Sequence, residues 1–297
     1  MNLLVLPEDG LAAVTGAIRK ARASVRMTIF RCDLREIEKA LADAVTRGVA
    51  VHTLIAHTNR AGEKQLRALE LRLLAAGVTV SRTADDLARY HHKLVVVDDR
   101  VLFVMAFNFT RADVGKRRSM AVATRKRKLV AEAVKLFEAD ATRQPFTSGV
   151  ADLVISPLNA RQRLMRFVKA ARRSLWIYDP QAIDAPMLKL LCERAEAGVD
   201  VRILGRVGKP GAGLRADAEP ELRLHLRAML RDQLELFVGS QGLRGIELDR
   251  RREVGILVRD RSAIKRFKQV FEVDWAGTRR AREEAEAAEE GEDEAAA

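Results

Sequence analysis

Two rhythms of apolar residues alternate along this chain. Short β-branched runs, LLVLP at 3–7, SVRMTIF at 24–30, VAVHTLI at 49–55 and VTVSR at 78–82, have the composition of strands. Between them lie longer stretches whose apolar residues recur every three or four positions, as on one face of a helix. The pattern predicts helices over about Gly10–Ala23, Leu34–Arg47 and Ala61–Ala76, the second of them stopped by Gly48. Strand–helix alternation of this kind builds an α/β fold.

One stretch concentrates chemistry. Tyr90 to Asn108 reads YHHKLVVVDDRVLFVMAFN, with His91 and Lys93 two apart at the head of a strand run, so both side chains project from one face. The DDR at Asp98–Arg100 is a turn signal between two strand runs and predicts an antiparallel hairpin, which lays residues 105–108 beside His91 and Lys93 and brings Asn108 to them. An imidazole, an ammonium and a carboxamide at a strand end suit attack on a phosphate.

The pattern then repeats. DLVISP, a helix through FVKAARR, a strand at SLWIYD, a helix over about Ala185–Ala197 and a strand at VDVRILG retrace the first half, with Pro157, Ser174 and Gly198 standing 150 residues after Pro7, Ser24 and Gly48. Further on the offset is 134: His91 matches His225, Lys93 matches Arg227, Asp98 matches Asp232, Asn108 matches Gly242 and Phe137 matches Phe271. The second half is therefore sixteen residues shorter before its motif, and VGKPGAGLRADAEPELR is expected to put a Gly- and Pro-rich loop where the first half has the helix at 61–76 and the strand at 78–82. Each hairpin is followed by a last strand and helix, MAVATRKRKLVAEAVKLFEAD and VGILVRDRSAIKRFKQVFEVDW. The domains are placed at 1–148 and 149–280, with 281–297 an acidic tail that is disordered or a frayed helix.

H-x-K, four residues, D, six residues and G-S-x-N, present twice, is the pattern of the phospholipase D superfamily, which the chain resembles over nearly its whole length. The first copy has His91, Lys93, Asp98 and Asn108, with Met105 and Ala106 in place of Gly and Ser; the second has His225, Asp232, Gly239 and Ser240, with Arg227 in place of Lys and Gly242 in place of Asn. Downstream, LELFVGSQGLRGIELDRRREVG is similar to the second half of bacterial members related to cardiolipin synthase, where a Glu stands at about the place of Glu253. The resemblance implies two similar α/β halves, each a mixed sheet flanked by helices, related by a pseudo-twofold axis with the site at their interface. It implies that one of His91 and His225 attacks phosphorus to give a phosphohistidine while the other protonates the leaving alcohol and then activates the acceptor. Lys93, Arg227 and Asn108 would neutralise the phosphoryl oxygens, and neither a cofactor nor a metal is implied.

The remaining motif members read differently. With about 3.3 Å per strand residue, Asp98 and Asp232 lie about 20 Å from their own histidines and are expected to fix the hairpin turns. Glu253 follows His225 by 28 residues, and Ser119 holds the equivalent place after His91. A histidine bonded to Glu253 favours its protonated form and serves as acid, while one facing Ser119 stays neutral and nucleophilic. Partners within each half make His91 the nucleophile; partners across the interface exchange the roles. Gly242 removes a donor, so Gly242→Asn is expected to raise turnover.

Charge narrows the partner. The net charge is +12, and the eight acids of the last fifteen residues leave +20 on the body before them, which favours an anionic phospholipid, a membrane surface or nucleic acid. Lys116, Arg117, Arg118 and the run Arg125–Lys128 form either a headgroup face or a solvated helix start. Aromatic content of 5% offers little stacking surface for single-stranded bases. Cys32 and Cys192 are not equivalent in the repeat, and His52, His57 and His92 have no repeat partners and read as structural. No apolar run reaches the roughly 18 residues of a spanning helix, and the N-terminus lacks a basic start, so the protein is expected in the cytoplasm or peripheral to the inner membrane face. The leading expectation is a phospholipase D-type phosphodiesterase or phosphatidyltransferase of phospholipids. The alternatives are a nuclease of the same superfamily and a catalytically reduced protein that binds anionic lipid or nucleic acid.

Overall fold

The computed structural model describes residues 1–57, 63–208, 214–217 and 222–278. The acidic tail at 281–297 lies outside the described residues. In chain order the first half runs β1 (Asn2–Leu6), α1 (Ala12–Arg19), β2 (Ser24–Ile29), α2 (Arg35–Thr46), β3 (Ala50–Ile55), α3 (Glu63–Ala75), β4 (Thr79–Arg82), β5 (Arg89–Tyr90), β6 (Leu94–Val97), β7 (Val101–Met105), α4 (Arg111–Lys116), β8 (Arg117–Thr124) and α5 (Arg127–Thr142). The second half follows with β9 (Leu153–Ser156), α6 (Ala160–Lys169), β10 (Ser174–Ala182), α7 (Ala185–Glu196), β11 (Asp200–Val207), β12 (Arg215–Asp217), β13 (Arg223–Leu224), β14 (Arg227–Arg231), β15 (Glu235–Gly239), α8 (Gly245–Asp249), β16 (Arg251–Val258) and α9 (Arg261–Ala276).

The duplication is written in the strand order. One sheet is ordered β1-β8-β7-β6-β2-β3-β4, and the other is β12-β11-β10-β14-β15-β16 with β9 on the far side of β16, the same sequence of equivalents. In each, the strands linked by helices are parallel and the hairpin strands are antiparallel, so both sheets are mixed. β12 pairs in parallel with β11 as β4 does with β3, which corrects the expectation that a loop replaces both elements. The strand is kept, and the rest of the expected loop, residues 209–213 and 218–221, lies outside the described residues.

Both faces of each sheet are covered, which is why the central strands are apolar throughout rather than alternating. In β6, Val95 and Val97 pack into a core shared with the helical layer of the first half, whereas Leu94 and Val96 join a second core with Val238, Val254, Ile256 and Phe271 of the other half. That shared core sits between the two sheets and is the body of the interface.

Two devices fix the hairpins and the halves. Asp98 and Asp99 have φ of 52° and 50°, and Asp232 and Gln233 have 51° and 58°, the twist of a tight two-residue hairpin turn. The Asp98 carboxylate accepts the backbone N–H groups of Arg22, Ala23 and Ser24, and Asp232 accepts those of Arg172, Arg173 and Ser174, so each turn is tied to the strand that starts beside it. Across the interface, Arg118 of β8 binds Asp274 of α9 at 2.7 and 2.9 Å, and its equivalent Arg252 of β16 binds Asp140 of α5 at 3.1 Å.

Strands also cross over. β5 leaves its own sheet and pairs with β16, Arg89 against Arg251 and Tyr90 against Arg252, while β13 pairs with β8, Arg223 against Arg117 and Leu224 against Arg118. The next residue in each case is a motif histidine, and each is bonded through its backbone to the other half: His91 N–H to Arg252 O at 2.8 Å and His225 N–H to Arg118 O at 3.0 Å.

Candidate active site

The exchange sets each imidazole against a carboxylate of the opposite half. His91 Nδ1 lies 3.0 and 3.1 Å from the carboxylate oxygens of Glu253, which is fully buried in β16. Lys93 Nζ stands 2.9 Å from His91 Nε2, 2.6 Å from the His91 carbonyl oxygen, and is itself 1% exposed. Burial, and then the charges of Lys93 and Arg227, push the His91 imidazole well below its ordinary pKa. Burial likewise pulls Lys93 down to about 7, against the opposing effect of Glu253. The Phe30 ring meets the His91 ring edge-on at 4.6 Å and walls this side of the site.

His225 Nδ1 is 2.9 Å from Asp113 Oδ1 in α4. Burial would raise the Asp113 carboxyl, but His225, the Asn108 N–H and Arg117 outweigh it and hold it well below the carboxylate range. Burial lowers His225 from its ordinary value, and Asp113 opposes that shift. Asp113 is absent from the sequence expectations, although a signal for it exists: Glu247 lies 134 residues after it, so an acid follows both hairpins at one offset. Its presence corrects the contrast drawn between Glu253 and Ser119. Ser119 Oγ donates to the His225 carbonyl oxygen at 2.7 Å and fixes backbone, while the ring has a carboxylate of its own.

Asn108 follows β7 and donates its backbone N–H and Nδ2 to Asp113 Oδ2 at 2.9 and 3.1 Å. In the second half Gly242 N–H donates to Glu247 Oε2 at 2.8 Å, the same backbone contact without the carboxamide. Arg227 places Nη2 3.1 Å from Glu247 Oε1, and its Nε and Nη1 are buried with no hydrogen-bond partner among the described residues. Buried donors of that kind call for an acceptor, and an anionic oxygen supplies one. Arg227 and Lys93 also shift His91 and His225 electrostatically, so the two motifs form one cluster.

Of Gly239 and Ser240, only Ser240 reaches this cluster by its side chain, which hydrogen-bonds the Glu253 carboxylate. A Cβ at Gly239 would lie 2.7 Å from Gly255 Cα and 2.8 Å from the Phe237 ring, so glycine permits the close approach of β15 to β16. Ser240 Oγ accepts Val254 N–H at 3.1 Å and pins the strand that carries Glu253. Asp98 and Asp232 stay at the hairpin turns described above, tied to backbone. The basic stretch divides: Arg117 and Arg118 are taken up by internal pairs with Asp113 and Asp274, while Arg125–Lys128 are exposed at the start of α5.

A cleft of about 290 Å³ opens beside Asn108 and Asp113, lined also by Phe30, Arg31, Thr110 and Arg117. Among the described residues no helix is long and apolar enough to cross a membrane.

The profile of the family described as "Cardiolipin synthase, PLD-like domain" matches residues 14–141. Residues 14–141 are a phospholipase D-like domain. Its two-sheet architecture resembles phosphatidylserine synthase of Haemophilus influenzae Rd KW20, with a TM-score of 0.69 at 12% identity over 93% of this chain and 86% of that one. It also resembles polyphosphate kinase from Porphyromonas gingivalis, with a TM-score of 0.76 at 17% identity over 92% of this chain and 50% of that one, so the chain spans half the length of that enzyme. The phospholipase D family member Nuc from Salmonella typhimurium matches 50% of this chain and 99% of its own at 26% identity, with a TM-score of 0.43. No curated protein matches the chain. The first two likenesses, at these identities, are of fold: two mixed sheets flanked by helices.

Proposed function

We propose that this protein is a phospholipase D-type phosphodiesterase or phosphatidyltransferase that acts on phospholipids through a phosphohistidine. The observation that carries the reading is the pair of histidines, each backed by a buried carboxylate from the opposite half, with the cations Lys93 and Arg227 between them. His91 is the nucleophile in this proposal. Burial between two cations keeps it neutral, and donation of its Nδ1–H to Glu253, a tautomer assigned from the hydrogen-bond partners, leaves a lone pair on Nε2. His225, which is more open and held by Asp113, is the acid.

In the first step Nε2 bonds to phosphorus, the bond to the leaving alcohol breaks, and His225 gives that oxygen its proton. His225 then takes a proton from water or an acceptor alcohol, which attacks phosphorus and expels Nε2. Lys93, whose Nζ stands 3.0 Å from Nδ1 and 2.9 Å from Nε2, donates to a phosphoryl oxygen, and Arg227 and the Asn108 carboxamide neutralise the others. The +20 body draws the protein to an anionic phospholipid surface, at the inner membrane face.

Substrate choice is tested on vesicles of graded anionic content, with DNA and RNA in parallel. Headgroup release is expected to rise with the anionic fraction, with no nucleic-acid cleavage. Cleavage of nucleic acid without headgroup release would make the protein a nuclease, and tight binding to either without turnover would make it a binding module.

The pH profile follows from the same roles. His225 must hold a proton with its pKa below the ordinary 6.5, and Lys93 must hold one with its pKa at about 7. Both are protonated on the acid side, so kcat/KM begins to fall below pH 6.5 as His225 loses its proton, and above about 7, with two protons lost, the slope becomes steeper than tenfold per unit. Lys93→Arg keeps its charge across this range and is expected to reduce the slope to one proton. A slope unchanged in that variant would remove Lys93 from the titration.

A further inference from the structure

The second half departs from the first at four places that converge on one point in space. Gly242 stands where the first half has Asn108, Arg227 where it has Lys93, Asp179 where it has Ile29, and Gly205 where it has Ile55. β2 pairs with β3 in unbroken register from Ser24–Ala50 to Ile29–Ile55, whereas the register between β10 and β11 shifts between Tyr178 and Gln181, so Asp179 and Pro180 form a bulge that the first half lacks. Gly205 makes room for it. Its φ is +137°, and a Cβ there would lie 1.7 Å from the Asp179 carbonyl oxygen, so no other residue fits beneath the bulge.

The bulge turns a carboxylate into the site. A Cβ built on Gly242 would lie 2.7 Å from Asp179 Oδ2, 3.0 Å from Oδ1 and 3.0 Å from Arg227 Cγ. The space that an asparagine side chain needs is thus already filled, which overturns the expectation that Gly242→Asn raises turnover. Asp179 is 1% exposed and accepts the backbone N–H groups of Gln181 at 2.9 Å and Leu243 at 2.6 Å, so it also holds the loop that carries Gly242.

We propose that Asp179 is a positioning residue for Arg227: the bulge sets a second buried carboxylate beside the arginine stem, in addition to Glu247, and this keeps the guanidinium turned to the phosphate site. The physical reason is balance. Glu247 alone holds Nη2 at 3.1 Å and would draw the planar group toward itself, whereas a second negative charge leaves Nε and Nη1 directed at a phosphoryl oxygen. A lysine needs no such counterweight, because its ammonium donates in three directions from a flexible stem. The replacement of Lys and Asn in the second half is therefore one coordinated rebuilding. This inference rests on the reading that the site takes a phosphate.

The test is a double-mutant cycle on the full chain, read by calorimetric titration with inorganic phosphate, with thermal melting as the folding control. Asp179→Ala is expected to weaken phosphate binding about tenfold, a typical coupling within one charged network. In an Arg227→Ala background the same change is expected to have no further effect. Equal losses in both backgrounds, no loss in the first, or absence of phosphate binding in the wild type would overturn the proposal. Should Asp179→Ala fail to fold, the isosteric Asp179→Asn enters the same cycle, where any change in affinity must vanish once Arg227 is gone. Gly242→Asn is expected to lose phosphate binding, because its side chain displaces the Asp179 carboxylate. Phosphate binding with this coupling but without lipid turnover would sink the lipid reading and leave the role of Asp179 standing.

Discussion

Replacing either His91 or His225 with alanine is expected to lower phospholipid turnover by on the order of 10⁴-fold or more, and replacing both to cost no more than one, because two members of a single catalytic unit do not contribute additively. The roles proposed above make the two variants distinguishable. A nitrophenyl phosphodiester has a leaving group that needs no proton, so His225→Ala should still release nitrophenol in a burst and accumulate the phosphohistidine on His91, which then lacks a base to activate water. His91→Ala should give no burst. A burst from His91→Ala and none from His225→Ala would exchange the roles, and near-wild-type turnover in either would remove that residue from the chemistry. Loss of the His91 ring also strips Glu253 of its imidazole partner, so melting must accompany the assay.

Arg252→Ala is expected to destabilise the fold by about 3–5 kcal/mol at neutral pH, the usual effect of leaving one member of a buried ion pair alone. Its partner Asp140 has a side chain 1% exposed, and the neighbouring His92, with Nε2 at 3.6 Å, is pushed down to about 3 by burial and offers no charge in its place. Burial raises Asp140 to about 6 even with Arg252 in place, and removing Arg252 raises it further. A carboxyl whose folded pKa is raised contributes stability at low pH and loses it as pH rises through that value. The loss in Arg252→Ala should therefore be larger at pH 8 than at pH 5, when measured by denaturant unfolding. A loss independent of pH would mean that Asp140 is not the group left uncompensated. Asp274→Ala should act in the same direction through Arg118, more mildly because Arg118 also pairs with Glu8.

Much of this architecture was legible before any coordinate, because the signals are local. β-branched runs, helical spacing and the acidic turns at Asp98 and Asp232 each depend on a few neighbouring residues, and the 134-residue offset then set His91 beside His225, and Lys93 beside Arg227, as members of one duplicated pattern. The sixteen-residue shortfall of the second half was visible, but the retained β12 was not, since a three-residue strand carries too little pattern to separate from a loop.

Which carboxylate meets which imidazole was decided only by the tertiary structure. Periodicity tells which side chains share a face of their own element, and it is silent on what approaches that face from elsewhere. His91 and Glu253 are 162 residues apart, and they meet because β5 leaves its own sheet to pair with β16. Asp113 reaches His225 by the reciprocal crossing of β13 onto β8. Asp179 enters the site through a bulge that no hydrophobic rhythm encodes, beneath a glycine whose need for φ near +137° appears only once the neighbouring strand is in place. The sequence by itself determined the two halves and their motif residues, because those follow from contacts close along the chain. The crossed partners and the carboxylate beside Arg227 were settled by packing between distant segments, where burial and charge balance, rather than spacing, choose the neighbour.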